Sequence, residues 1–261
     1  LIQGLSGLAT VQAGADELRP QLVRTILPDK LTGVTAAQAI TAALFARERT
    51  GESQHVRLSM LDAIIAFLWS SDMGSQTFVH SEVPQQEAAS LQDLIYETTT
   101  GYITIAVQSD REWQALIRAV DRPEWAEDPR FLTARLRQEN IDARLELIQS
   151  VIKTDTAEHW LARLEAEQVP CAPVLTRTQV LDHPQVLAND LLSHYDHPQA
   201  GRLRQARAPS RFSAAPEQHW QGAPRLGEQT GELLAECGYS AEEIQAMCDS
   251  GIAAIAATNI F

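Results

Sequence analysis

Gln108, Ser109 and Asp110 stand together in the stretch VQSDREW, where an alternating apolar run gives way to a helical one. In α/β proteins the carboxyl end of a strand that feeds a helix is where ligands bind. An amide, a hydroxyl and a carboxylate at such a place could orient a polar substrate, while Asp110 could equally cap the helix that follows. Asp29, in LPDKLTG, has the same double character of helix cap or pocket carboxylate. Asp62 opens an apolar helix, where a carboxylate complements the helix dipole. Cys171 lies between two prolines in VPCAPV. A nucleophilic thiol needs a base beside it, and none is identifiable nearby, so a small apolar residue packed in a strand is the expectation.

Other chemistries leave no trace. There is no GxGxxG after a strand, no GxxxxGK[ST], no HExxH and no GxSxG. His183, His194, His197 and His219 gather in one connecting region without converging carboxylates or thiolates, as solvated or capping imidazoles do. Three cysteines, Cys171, Cys237 and Cys248, are too few and too irregular for a disulfide framework or a zinc site. The net charge of −13 argues against nucleic acid or an anionic membrane as partner, although a local basic pocket could still take an anionic ligand. No apolar run reaches the roughly 18 residues of a bilayer span. Leu1–Leu8 lacks the basic region of a secretory signal, and a cytoplasmic location is expected.

The elements that must position these residues follow from periodicity. Residues 32–49 have helical spacing, with Ala36, Ile40, Ala43 and Leu44 on one face and Gly51 as the stop. HVRLSM alternates like a half-buried strand, and Leu61, Ile64, Ile65, Leu68 and Trp69 follow as an amphipathic helix. Helix, strand, helix suits one side of a parallel α/β sheet. After a polar stretch, YETTTGYITIAV predicts a turn at Gly101 and a strand whose Ile103, Ile105 and Val107 share a face. Helices are expected next with Trp113, Leu116, Ile117 and Val120, over 140–152, and over 155–167 with a capping box of Asp155 and Glu158. VPCAPV fits an extended return strand, the Pro-, His- and Arg-rich stretch after DHPQV a long surface connection. Ser240 and Glu243 mark a capping box in a helical C-terminus.

Several stretches, in one order along the chain, carry a resemblance. They are QGLSGL, PDKLTGVTAAQAITAALFARERTGESQHVRLSMLDA, YETTTGYITIAVQSDREWQAL, PEWAEDPRF with RQENIDARLELI, EQVPCAPV with VLDHPQVLAND, APSRFS, and PRLGEQTGELLAECGYSAEEI. Together they resemble the family III CoA-transferases, which include formyl-CoA transferase, carnitine CoA-transferase and α-methylacyl-CoA racemase. The resemblance implies an α/β fold with part of a nucleotide-fold-like large domain, a small α+β domain, and an interlocked homodimer for the intact protein. On this basis residues 1–72 end the first large-domain portion, 73–95 form a linker, 96–184 the small domain, 185–225 a second linker, and 226–261 return to the large domain.

The resemblance also implies an activity: CoA moves from an acyl-CoA thioester to a carboxylic acid, with coenzyme A thioester as substrate and no permanently bound cofactor. A carboxylate nucleophile splits one hard acyl exchange into easier steps. In the family that aspartate lies a few residues before the counterpart of Gln3, just upstream of Leu1, so no residue of this chain inherits the role. This chain alone is then expected to be inactive. Gln108, Ser109 and Asp110 would shape the acceptor pocket, with Gln3 and Asp29 supporting the nucleophile's neighbourhood. The glycines of LIQGLSGLATVQAG would allow close backbone packing near the site.

Departures from the family pattern are Thr100 for an Asp, Ser53 in the Gly-x-Gly-Gln turn and Gln229 for His in LGEHT. EVPQQEAASLQD stands where formyl-CoA transferase has a glycine-rich loop. A racemase or isomerase of the same family is the second expectation, weakened because Gln108 stands where racemases have a Glu. A non-catalytic fragment or assembly module is the third.

Overall fold

The computed structural model describes residues 1–79, 94–197, 200–214 and 222–256. Their elements run α1 (Ile2–Leu5), α2 (Leu8–Ala13), α3 (Leu27–Thr50), α4 (Met60–Trp69), β1 (Ile95–Thr98), β2 (Gly101–Ile105) and α5 (Asp110–Val120). They continue α6 (Ala134–Glu139), α7 (Ile141–Ile152), α8 (Ala157–Ala166), β3 (Cys171–Pro173), α9 (Pro184–Ala188), β4 (Leu192–His197), β5 (Gly201–Ala206), α10 (Thr230–Glu236) and α11 (Ala241–Asp249). This is the mixed helix and sheet content of an α/β protein. The chain forms two compact units, residues 1–96, 104–153 and 163–170 in one, residues 97–103, 154–162 and 171–261 in the other.

In the first unit Leu8, Ile64 and Leu68 make a small core, with Ile2, Val23, Leu27, Leu31 and Met73 packed around it. Gly7 joins α1 to α2 at φ 83°, a left-handed backbone that an L side chain adopts at a cost. Conformational freedom therefore explains this glycine. Close packing does not explain Gly4, which has nothing within 4 Å of where a Cβ would sit. Helix α3 starts earlier than its periodicity suggests, with Pro28 in its first turn, and stops at Gly51 in the left-handed region. HVRLSM forms no strand: an alternating segment needs a partner edge, and none pairs with it among the described residues. Its Val56 and Leu58 stay exposed, as do Ile40, Leu44 and Phe45 of α3 and Phe67 and Trp69 of α4.

The three-stranded sheet has the order β1-β2-β3, and the predicted turn and return strand are both present. Ile103, Ile105 and Val107 are buried, as their alternation requires. Beyond β2, helix α5 buries Trp113, Leu116, Ile117 and Val120. Trp113 stacks on Trp125, ring centroids 6.1 Å apart, and meets Phe131 at 5.6 Å. DRPEWAEDPRF contains a single 3₁₀ turn at Pro123–Ala126 that delivers Trp125 to this cluster.

In the second unit the Thr99 N–H donates to the Asp155 carbonyl at 2.9 Å. The cap of α8 falls one residue later than Asp155, because the Thr156 hydroxyl accepts from the His159 N–H at 3.2 Å. Helix α9 begins within DHPQV, and the stretch beyond it, expected as a long surface connection, contains an antiparallel hairpin, with Leu192 opposite Ala206 and His197 opposite Gly201. His197 packs on Gly222, where an added Cβ would approach the ring to 2.3 Å. The Ser240–Glu243 capping box of α11 is present in both directions.

Candidate functional site

The turn that opens α5 is built by its own side chains. Ser109 caps the helix, and its hydroxyl accepts from the Glu112 N–H at 3.3 Å. Glu112 returns the bond, one carboxylate oxygen accepting from the N–H groups of Ser109 and Gln108 at 2.9 Å each. Those backbone bonds, Ser109 first, hold the Glu112 carboxyl below the usual glutamate range. With Ser109 as the cap, Asp110 is freed from the capping role that the sequence allowed it. Gln108, Ser109 and Asp110 are all exposed at the end of β2.

Asp110 instead meets Arg137. Nη2 of Arg137 donates to Oδ1 of Asp110, and Nη1 donates to the Phe131 carbonyl at 3.0 Å. The guanidinium lies 5.6 Å from the centre of the Trp113 ring. Its side chain is 2% exposed, whereas that of Asp110 is 77% exposed. Nε of Arg137 is buried and has no partner among the described residues. Arg144, also buried, adds a second cation whose pKa is lowered by its burial and by Arg137, against an opposing influence of Tyr96. Sequence reasoning passed over both arginines, although a signal was present. Arg137, Ile141, Arg144 and Ile148 fall at i, i+4, i+7 and i+11, which sets two cations on an apolar stripe.

Gln3 and Asp29 lie elsewhere in the same unit. The Gln3 amide is used on both sides: Oε1 accepts from the Val23 N–H at 2.9 Å, and Nε2 donates to the carbonyls of Val23 at 3.1 Å and Thr25 at 3.2 Å. Gln3 thereby fixes the segment that enters α3. Asp29 lies exposed in the first turn of α3, inside the helix rather than at its cap, which is Ile26. No hydrogen bond or ion pair links Gln3 or Asp29 to residues 108–110 among the described residues. A groove of about 320 Å³ opens between α3 and residues 53–56, lined by Ile40, Leu44, Arg47 and His55, and none of the five candidates faces it.

The Asp62 N–H donates to the Ser59 hydroxyl that caps α4, and its carboxylate lies in the first turn, where it complements the helix dipole. Cys171 is half-buried in β3. Among the described residues no three or more His, Cys, Asp or Glu side chains gather as a metal site would require. No helix of the described residues is long and apolar enough to cross a membrane. His219 and EVPQQEAASLQD lie outside the described residues.

A mixed helix-and-sheet chain with an exposed polar turn beyond a buried strand defines an α/β protein. A sequence model of CoA-transferase family III matches residues 1–230, and the chain belongs to that family. It is 28% identical over 259 residues to a formyl-CoA:oxalate CoA-transferase of Streptomyces coelicolor, covering 92% of this chain and 63% of the relative. An enzyme of the same name from Escherichia coli is 29% identical over 254 residues, covering 87% and 60%. Among solved structures, a CAIB/BAIF family protein from Brucella suis superposes with a TM-score of 0.72 at 27% identity, over 90% of this chain and 61% of that one. Rv3272 from Mycobacterium tuberculosis gives 0.68 at 27% identity, over 82% and 57%. The chain thus spans about three-fifths of the length of the curated relatives it matches.

Proposed function

We propose that this chain is part of an enzyme that moves CoA from an acyl-CoA thioester to a carboxylic acid through an aspartyl-CoA intermediate. The observation that carries the proposal is the family match over residues 1–230, supported by the formyl-CoA:oxalate CoA-transferase relatives. The nucleophilic aspartate is assigned, on the family resemblance, to a position just before the counterpart of Leu1. The 261 residues alone are accordingly proposed to be inactive, and the working enzyme to be a cytoplasmic homodimer. The large-domain, linker and small-domain division given above is part of the same proposal.

In this scheme Gln108, Ser109 and Asp110 border the acceptor acid, and Gln3 and Asp29 support the nucleophile's surroundings. The geometry supports an indirect part for Gln3, whose amide is already committed to backbone. Gln108 is an exposed amide and cannot exchange a proton as a carboxylate does, which favours transfer over racemisation. Full-length protein incubated with an acyl-CoA and a panel of short-chain, aromatic and dicarboxylic acids should give a new CoA thioester. Solvent deuterium entering the α-position of a 2-methylacyl-CoA with no acceptor present would favour racemase activity instead. Inactivity in both assays would favour an assembly module.

A further inference from the structure

We infer that Arg137 is a positioning residue, a buried guanidinium that holds the Asp110 carboxylate and the Gln108–Asp110 turn in the orientation that the acceptor acid meets. On the CoA-transferase proposal above, this assigns a role to a side chain that touches no substrate.

The placement is hard to explain by stability alone. Taking a guanidinium out of water is costly before any partner is counted. Here it retains an unpartnered Nε and lies near a second buried cation, Arg144. Its one carboxylate partner among the described residues is mostly in solvent, where an ordinary ion pair contributes little. Nor is Asp110 needed to cap the helix end, which Ser109 and Glu112 already close, although its first-turn carboxylate also complements the helix dipole. What the arrangement does provide is direction. The Phe131 carbonyl and the Trp113 ring fix the guanidinium, and the guanidinium fixes Oδ1 of Asp110. Oδ2 of Asp110 is left without a protein hydrogen bond among the described residues, free to meet a ligand. A planar fork is suited to this task because it sets two bonds at a fixed angle, which an ammonium does not.

The experiment uses the full-length enzyme with Arg137→Met, which keeps bulk, and Arg137→Lys, which keeps one charged donor. The acceptor KM should rise about tenfold in Arg137→Met, with the KM for acyl-CoA unchanged and partial recovery in Arg137→Lys. Amide hydrogen exchange at residues 108–111 should accelerate in the same order. A loss of kcat that tracks the loss of thermal stability, with both KM values unmoved, would overturn the role. So would unaltered exchange at 108–111. Because exchange is read without turnover, it tests the clamp even if the wild-type enzyme transfers no CoA, which would count against the proposed function alone.

Discussion

Gln3 and Val23, twenty residues apart, form a closed pair in which the side-chain amide both accepts from and donates to the same backbone residue. A third bond to the Thr25 carbonyl extends the clasp toward α3. The glutamine thus acts as a short strand partner for this segment, which the Gln21 N–H also ties to the Ala9 carbonyl at 2.9 Å.

Replacing Gln3 should loosen that segment. Each backbone–amide bond is worth about 1 kcal/mol net, so Gln3→Ala should destabilise the full-length protein by about 1–2 kcal/mol. Urea titration reads the loss, and faster amide exchange at Val23 would locate it. Unchanged exchange there would contradict the clasp.

Glu112 gives a pH prediction. Its carboxyl is held below the usual value of 4.5 by the backbone bonds from Ser109 and Gln108. A depressed folded-state pKa contributes stability above the unfolded value, and the contribution disappears as pH falls through the folded one. Glu112→Gln should therefore be less stable than wild type near neutrality, with the gap narrowing below about pH 4 as wild type protonates. Thermal melts from pH 7 to pH 3 check the sign. Ser109→Ala, which removes the hydroxyl half of the box, should cost about 1 kcal/mol.

The aromatic cluster behind the turn should dominate the stability of its unit. Trp113 is buried between Trp125, Phe131 and the Arg137 guanidinium. Trp113→Ala should cost about 3–5 kcal/mol and Trp113→Phe clearly less, as measured by denaturant midpoints.

The uncovered apolar residues make a prediction for the 261-residue chain by itself. Phe45 is 64% exposed and Phe67 52%, with Ile40, Leu44 and Trp69 also open to solvent. Surfaces of this kind drive association. The isolated chain should bind a hydrophobic dye and self-associate, and Phe45→Gln with Phe67→Gln should reduce both. A dye-silent monomer with a sharp, reversible unfolding transition would contradict this. Leu5 is likewise exposed, whereas Leu8 is buried against Ile64 and Leu68.

What the sequence determined by itself is what depends on near neighbours. Alternation placed Ile103, Ile105 and Val107 on the buried face of a strand, and helical spacing buried the apolar side of α5. The Ser240–Glu243 box and the Gly51 stop were legible because a cap is satisfied within one turn of helix. The resemblance to family III CoA-transferases was legible too, since ordered motifs survive as text. HVRLSM was misread because alternation only permits a strand, and a partner edge must complete it. Asp110 was undecidable because its helix already has a cap at Ser109, and its true partner lies 27 residues away. Only the tertiary structure could bury Arg137 against Trp113 and Phe131 and turn its donors toward Asp110. Local pattern records the propensity of a segment, whereas the burial of a charge is settled by which distant groups arrive to meet it.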